Sequence, residues 1–328
     1  MESIRDKQLR QQLIERRQSL EKALSKAEKA EQLIRLLQEV DSALERMDDG
    51  TYGLCTVCHE PIEEERLMAD PLICICLDHL TSDQQRTLEE DLELASRIQN
   101  KLLPKKHLSV NGWEIHYVYK PAGIVSGDYI DLVIPSVEDG TLFMLLGDVS
   151  GKGIAASMLM SHLHAIFRSL ITTGLPLFQL ATQANRIFCE STMATHYATL
   201  VFARADREGK LEVCNAGHNP PILMQKDAVT RLKATGTPLG MFCESEYTMK
   251  EILLSPGDIA LFYTDGLTET RNNANTEYGE DRLARLVADF HALSPRELIN
   301  VCLEDLDRFQ AGLKRTDDLT ILGIRRLS

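Results

Sequence analysis

The chain has 328 residues, 44% of them hydrophobic and 26% charged, with a formal net charge of −13. That length is long for one core and implies two or three modules of a soluble globular protein, while the acidic balance argues against a surface that coats nucleic acid. No uninterrupted apolar run approaches the ~20 residues that span a bilayer, the N-terminus is polar with no leader-like segment, and four of the eight cysteines crowd between Cys55 and Cys76 instead of spreading as a disulfide framework, all of which points to the cytoplasm.

Residues 1–49 contain neither Gly nor Pro. Leu9, Leu13, Leu20, Leu24, Ala27, Ile34, Leu37 and Leu44 recur at separations of three, four or seven, the period of an amphipathic, coiled-coil-like helix. Unbroken, it would reach ~70 Å. So narrow an element must lay its seam on another helix, of this chain or of a second one, and a homodimer is the expectation. The alternative is a surface helix folded back on its own domain. Gly50 stops the helix.

A finger-like segment follows over 50–80. Cys55-x₂-Cys58 and Cys76-x₂-His79 are separated by seventeen residues. They offer four ligands of the kind that hold a tetrahedral structural Zn²⁺, which then supplies folding energy that a small core cannot. Cys74 is a rival ligand, but only Cys76 keeps the two-residue gap to His79. A redox pair or buried free thiols are the alternatives. With Ala43–Met47, Gly50–Cys55, Ile62, Arg66, Leu67, Pro71 and Cys76, this segment resembles the DksA/TraR zinc finger of bacterial transcription regulators. The resemblance implies a finger fold with His79 in place of the fourth Cys, and it raises RNA polymerase as a partner. That family acts through an acidic tip between paired helices, and no such tip is identified in this sequence.

Ser82 and Gln85 stand at capping-box spacing, and Leu88, Leu92, Ala95 and Leu102 form an apolar stripe, so 81–104 reads as a linking helix. From Trp113 the pattern turns strand-rich. Strands are expected at 113–119, 128–134, 141–146, 197–203, 211–214, 259–263 and 319–324. Helices are expected at 154–173, 177–192, 280–290 and 295–309. Strands before and after a central helical pair describe an α+β domain over 105–328.

Four acidic sites in this region stand at strand ends: Asp148 in Gly147-Asp148-Val149-Ser150-Gly151-Lys152-Gly153, Asp128 after Gly127, Asp265 before Gly266, and the pair Asp317-Asp318. The glycine-rich stretch alone reads as a tight turn with a capping Asp. It is not a P-loop, because Leu146 stands where the first Gly would be needed and Gly153 where the Ser or Thr would be. Carboxylates that converge repel one another and need a cation, and hard oxygen ligands suit Mg²⁺ or Mn²⁺. Two such ions can activate a water and clamp a phosphoryl group.

This quartet, with the segments 95–104, 215–221 and 237–240, resembles the PP2C-type metal-dependent protein serine/threonine phosphatases, and most closely their bacterial SpoIIE/RsbU-like branch. The resemblance covers about 95–328. It implies an α-β-β-α sandwich of two antiparallel sheets flanked by helices, and two Mn²⁺ or Mg²⁺ ions per site. Asp148 would bridge both ions and the Val149 carbonyl would complete one shell. Asp128 would serve the first ion, and Asp265 and Asp317 the second. Asp318 and Asp131 are secondary candidates, and the linking helix would be regulatory. Eukaryotic relatives carry a His two residues after the bridging Asp, where this chain has Ser150. Lys152 is either a phosphate contact or a solvated turn lysine, and His218 either an acid or a structural residue. The implied substrate is a phosphoprotein, such as a STAS-domain anti-sigma-factor antagonist. The competing reading is a transcription-complex regulator that binds RNA polymerase and carries a secondary phosphatase domain.

Overall fold

The structure, a computed structural model, describes residues 4–24, 31–135, 140–193, 195–226 and 228–327. They form two compact units that divide between Glu90 and Asp91.

In the first unit the single long helix expected over 1–49 is instead two, α1 (Ile4–Leu24) and α2 (Glu31–Asp48). They lie antiparallel. Arg17 Nε meets Asp41 Oδ1 at 2.7 Å, and Arg10 pairs with Asp48. The physical reason is the seam. An unbroken helix would leave it in water, whereas the hairpin buries Leu13 against Val40 and Ala43. The hairpin covers part of the seam within one chain, with Leu9 and Leu13 buried and Ile34 still 41% exposed, which weakens the argument for the homodimer. Ala27 lies outside the described residues. Tyr52 and Leu72 extend the hairpin core toward the finger, which contains α3 (Glu64–Ala69) and a tight helical turn, Leu77–His79.

Helix α4 (Ser82–Leu102) starts on a capping box one residue earlier than expected. The Gln84 amide donates to Thr81 Oγ1 at 3.2 Å, and the Thr81 amide donates to Gln84 Oε1 at 3.0 Å.

The second unit continues with β1 (His107–Val110), β2 (Trp113–Lys120), β3 (Asp128–Val133), β4 (Leu142–Val149), α5 (Gly153–Ile171), α6 (Leu177–Ser191), β5 (Ala198–Ala205), β6 (Lys210–Ala216), β7 (Ile222–Gln225) and β8 (Ala228–Arg231). It ends with β9 (Lys250–Leu253), β10 (Ile259–Tyr263), α7 (Asp265–Thr268), α8 (Glu280–Phe290), α9 (Pro295–Gln310) and β11 (Leu319–Arg326). The strands form one sheet in the order β1-β2-β11-β10-β7-β8 and another in the order β3-β4-β5-β6-β9. Each pairing between these strands is antiparallel. The inner faces meet through Trp113, Ile115, Tyr117, Met144, Leu146, Phe262 and Leu322. The outer face of the second sheet takes α5 and α6, and that of the first takes α8 and α9. This is the expected α-β-β-α sandwich.

Helix α5 is long and apolar enough by composition to cross a membrane, yet Met160, Leu163 and Phe167 bury one face of it in the sandwich. One cysteine pair departs from the sequence reading: Cys189 and Cys243 are joined as a disulfide, with Cα atoms 5.6 Å apart.

Candidate metal centres

Strand register assembles half of the acidic cluster. Asp128 on β3 stands directly opposite Asp148 on β4. Side chains alternate along a strand, so residues two apart share a face. Ile130, Leu132, Met144 and Leu146, which share the faces of these aspartates, all line the layer between the sheets. Both carboxylates therefore sit at the end of that layer.

The facing sheet supplies the rest. Asp265 follows β10, and Asp317 and Asp318 precede β11, its neighbour in the sheet. Two hydroxyls from this sheet reach across to Asp128 Oδ2: Thr264 Oγ1 donates at 3.0 Å and Thr320 Oγ1 at 2.5 Å. Gly266 explains the Asp-Gly pair, because a Cβ there would stand 1.8 Å from the Asp318 carbonyl oxygen. The Val149 carbonyl lies beside Gly127, whose own Cβ would come within 3.1 Å of it.

The electrostatics follow from this crowding. Burial pushes the Asp128 carboxyl well above its ordinary value and the Asp148 charge adds to it, while the Thr320 and Thr264 hydroxyls offset only part. Asp148 is pushed up to about 8 by burial, then by Asp265, Asp317 and Asp318, with Lys152 opposing. Asp265 is raised by burial and by Asp317. Glu269, which the sequence reading missed, is raised by burial and then by Asp265. Among the described residues, no three of these carboxylates bring their oxygens within 4.8 Å of one another. The cluster is an open ring of repelling oxygens and not one closed shell. Oxygen donors carrying uncompensated buried charge fit hard divalent cations.

The other candidates separate clearly. Asp318 spends both oxygens on backbone, accepting from the Ala122 amide at 2.7 Å and the Gly127 amide at 2.8 Å. It braces the loop that delivers Asp128. Asp131 is not in the cluster. Three residues from Asp128, it points to the opposite face of β3, where Arg168 of α5 grips it through two 2.7 Å bonds. Lys152 Nζ donates to Asp317 Oδ2 at 3.2 Å and to the Thr316 carbonyl at 3.1 Å, so it is neither free nor merely solvated. Ser150 Oγ accepts from the Tyr197 amide at 3.0 Å. His218 is buried with Nδ1 2.8 Å from Thr199 Oγ1, and burial lowers it to about 3. Burial thus favours the neutral imidazole.

Gln99 was also missed. It is a buried amide on the apolar side of α4 that donates to the Ser126 carbonyl at 2.6 Å and accepts from the Ser126 amide at 3.0 Å. Ser126 Oγ in turn accepts from the Asp128 amide at 3.1 Å. The signal in the sequence was a polar residue inside the stripe Leu92, Ala95, Gln99 and Leu102.

In the first unit, ligand atoms of Cys55, Cys58, Cys76 and His79 all lie within 4.8 Å of one another. Cys58 Sγ is 3.8 Å from Cys76 Sγ, and His79 Nδ1 is 3.1 Å from Cys76 Sγ and 3.9 Å from Cys55 Sγ. With zinc–sulfur bonds of about 2.3 Å, a tetrahedron has edges of this size. Burial opposes ionisation of Cys55, but the backbone amides of Cys58, Cys76 and Val57 outweigh it and bring the thiol to about 6. Cys74 stands outside the group, its carbonyl accepting from the Thr56 amide at 2.8 Å.

A family model described as Stage II sporulation protein E (SpoIIE) matches residues 138–327. Phosphoserine phosphatase RsbU of Bacillus subtilis is 27% identical over 245 residues, which cover 74% of this chain and 72% of RsbU. Protein IcfG of Synechocystis sp. is 28% identical over 266 residues, 72% of this chain, although the chain spans only 41% of IcfG. The SiaA-PP2C domain of Pseudomonas aeruginosa superposes with a TM-score of 0.64 at 20% identity, covering 75% of this chain and 99% of that one, a likeness of fold. With more than half its length matched by the family model, and its aspartates gathered at the end of a PP2C-like sandwich, the chain belongs to the SpoIIE family.

Proposed function

We propose that the chain is a protein serine/threonine phosphatase that works with two Mn²⁺ or Mg²⁺ ions. The observation that carries this reading is the meeting of Asp128, Asp148, Asp265 and Asp317 from both sheets at one end of the sandwich, with Asp128 buried and the others partly open to solvent, where burial and mutual repulsion push Asp148 up to about 8. That repulsion is relieved by protonation or by bound cations, and divalent ions relieve it with the carboxylates ionised. RsbU, similar over three quarters of this chain, bears the name phosphoserine phosphatase, and this supports the same substrate chemistry here.

Asp148, Asp128, Asp265, Asp317 and the Val149 carbonyl would hold the ions. When bound, the ions supply a water activated at neutral pH and neutralise phosphoryl oxygens during in-line displacement. The chain's own contribution is placement. Thr264 and Thr320 fix the Asp128 carboxylate. Asp318 and Gln99 hold the loop before it. Lys152 tethers the segment carrying Asp317. Ser150, whose Oγ accepts from the Tyr197 amide, is too weak an acid, and His218 is buried and neutral, so both are poor proton donors to the leaving group.

The preferred substrate class is a phosphorylated regulatory protein, with a STAS-domain anti-sigma-factor antagonist as the first to try. The first unit would be a zinc-stabilised regulatory module held by Cys55, Cys58, Cys76 and His79, and the setting would be cytoplasmic. The test is hydrolysis of phosphoserine proteins with and without Mn²⁺. Asp148→Asn should abolish metal-dependent turnover. Retention of more than about a tenth of the activity means under ~1.4 kcal/mol of transition-state stabilisation was lost, and the two-ion assignment is then wrong.

A further inference from the structure

A cavity of about 530 Å³ opens beside the acidic cluster, between α4, the loop before β3, the start of α5 and the segment 314–318. It shares Lys152, Asp317 and Asp318 with the cluster, so whatever fills it lies against the reacting group. Its wall is apolar on one side, through Leu92, Ile124 and Ile154. Ile124 and Ile154 are 51% and 46% exposed, and so present unpartnered apolar surface to an occupant.

The charges of the cavity do not cancel. Asp317 is engaged by Lys152, and both oxygens of Asp318 are taken by backbone amides. Lys314 and Arg315 form no ion pair among the described residues, and Arg315 Nε is buried with no hydrogen-bond partner. In a chain of net charge −13, two cations that line one cavity without an ion-pair partner among the described residues mark a place where negative charge is received. A buried guanidinium nitrogen without a partner is costly unless a ligand completes it.

We infer that this cavity is a substrate subsite that reads the residues flanking the phosphorylated Ser or Thr, with Arg315 and Lys314 taking an acidic side chain and Ile124 and Ile154 an apolar one. The inference rests on the phosphatase reading and adds a sequence preference to it. Its volume suits a few side chains of a bound segment. The two cations act as specificity residues and steer an anionic partner past the repelling cluster.

The test uses the full chain, Mn²⁺ and two phosphoserine peptides that differ only in flanking Glu or flanking Lys. The wild type should favour the Glu peptide by about tenfold in kcat/KM, mainly through KM. The double substitution Lys314→Glu with Arg315→Glu should invert the preference, a gain that misfolding cannot produce. Equal use of the two peptides by the wild type, or an unchanged preference in the double variant, overturns the subsite. If the wild type cleaves neither these peptides nor phosphoserine proteins with Mn²⁺, the phosphatase reading falls by itself. The subsite is then judged by fluorescence anisotropy of the same labelled peptides without metal, where tighter binding of the Glu peptide, reversed in the double variant, upholds it and equal binding removes it.

Discussion

Replacing Asp148 by Asn should stabilise the metal-free protein while destroying its activity. The carboxylate has an ordinary pKa of 3.8 and is held at about 8 in the fold. Between those values the unfolded chain releases a proton that the folded chain retains, so stability is greatest below pH 4 and is lost as the pH rises toward 8. Each pH unit in that window costs about 1.4 kcal/mol, which gives an upper bound of ~4 kcal/mol at pH 7 and ~1.5 kcal/mol at pH 5 for a side chain that keeps some contact with water. Asn is nearly isosteric and carries no charge, so it removes this penalty without opening a cavity. For a domain of this size 1 kcal/mol moves Tm by about 2–4 °C, so the gain approaches about 10 °C at pH 7 and shrinks at pH 5. Thermal melts in EDTA at both pH values measure it. Excess Mn²⁺ should raise the wild-type Tm, more at pH 8 than at pH 6, and should leave the variant nearly unmoved. A variant that melts below the wild type in EDTA at pH 7 would show that Asp148 is not under repulsion and would refute the reasoning.

Three further outcomes are expected. Elemental analysis should find one zinc per chain that survives dialysis and is lost in Cys58→Ser; zinc kept by a variant lacking both Cys55 and Cys58 would remove the site. Arg168→Ala leaves the fully buried Asp131 without its guanidinium and should cost about 3 kcal/mol in urea denaturation, whereas a loss below about 1 kcal/mol would mean that His164, 3.5 Å away, suffices. Gln99→Leu keeps the apolar packing of α4 but strips both bonds from Ser126. It should weaken Mn²⁺ binding severalfold by calorimetry with Tm changed by only a few degrees, and unchanged Mn²⁺ affinity would confine Gln99 to a packing role.

Much of this was legible because it depends on local pattern. The strand-terminal Asp-Gly signals and the paired two-residue gaps of Cys55, Cys58, Cys76 and His79 survive in any packing. What failed depends on partners distant in sequence. The helix over 1–49 has no breaker residue, and only the gain from covering Leu13 with Val40 and Ala43 decides for a hairpin. Strands β7, β8 and β9 have four residues each, too short for alternation to stand out, and β8 and β9 are at sheet edges. Asp131 was grouped with the site residues because it is an acidic residue near Asp128. Strand parity separates them: the odd spacing turns one toward the cluster and the other toward Arg168. Cys189 and Cys243 are 54 residues apart, and no spacing rule joins them.

The loop over 122–127 is where these findings meet. Asp318 holds it from the facing sheet through the amides of Ala122 and Gly127, and Gln99 holds it from α4 through both backbone groups of Ser126. Asp128 begins the strand that follows, its amide tied to Ser126 Oγ. A carboxylate under repulsion moves away from its neighbours unless something opposes the motion. Here the opposition comes from hydrogen bonds to the backbone on both sides of the loop and from two hydroxyls on the carboxylate itself. Bonds to backbone are insensitive to the side chains of the loop, so Gly123, Ile124 and Val125 are free to line the neighbouring cavity without disturbing Asp128. One short segment can therefore both carry Asp128 into the acidic cluster and line the neighbouring cavity, because its position is fixed by main-chain bonds and its side chains are left for contact.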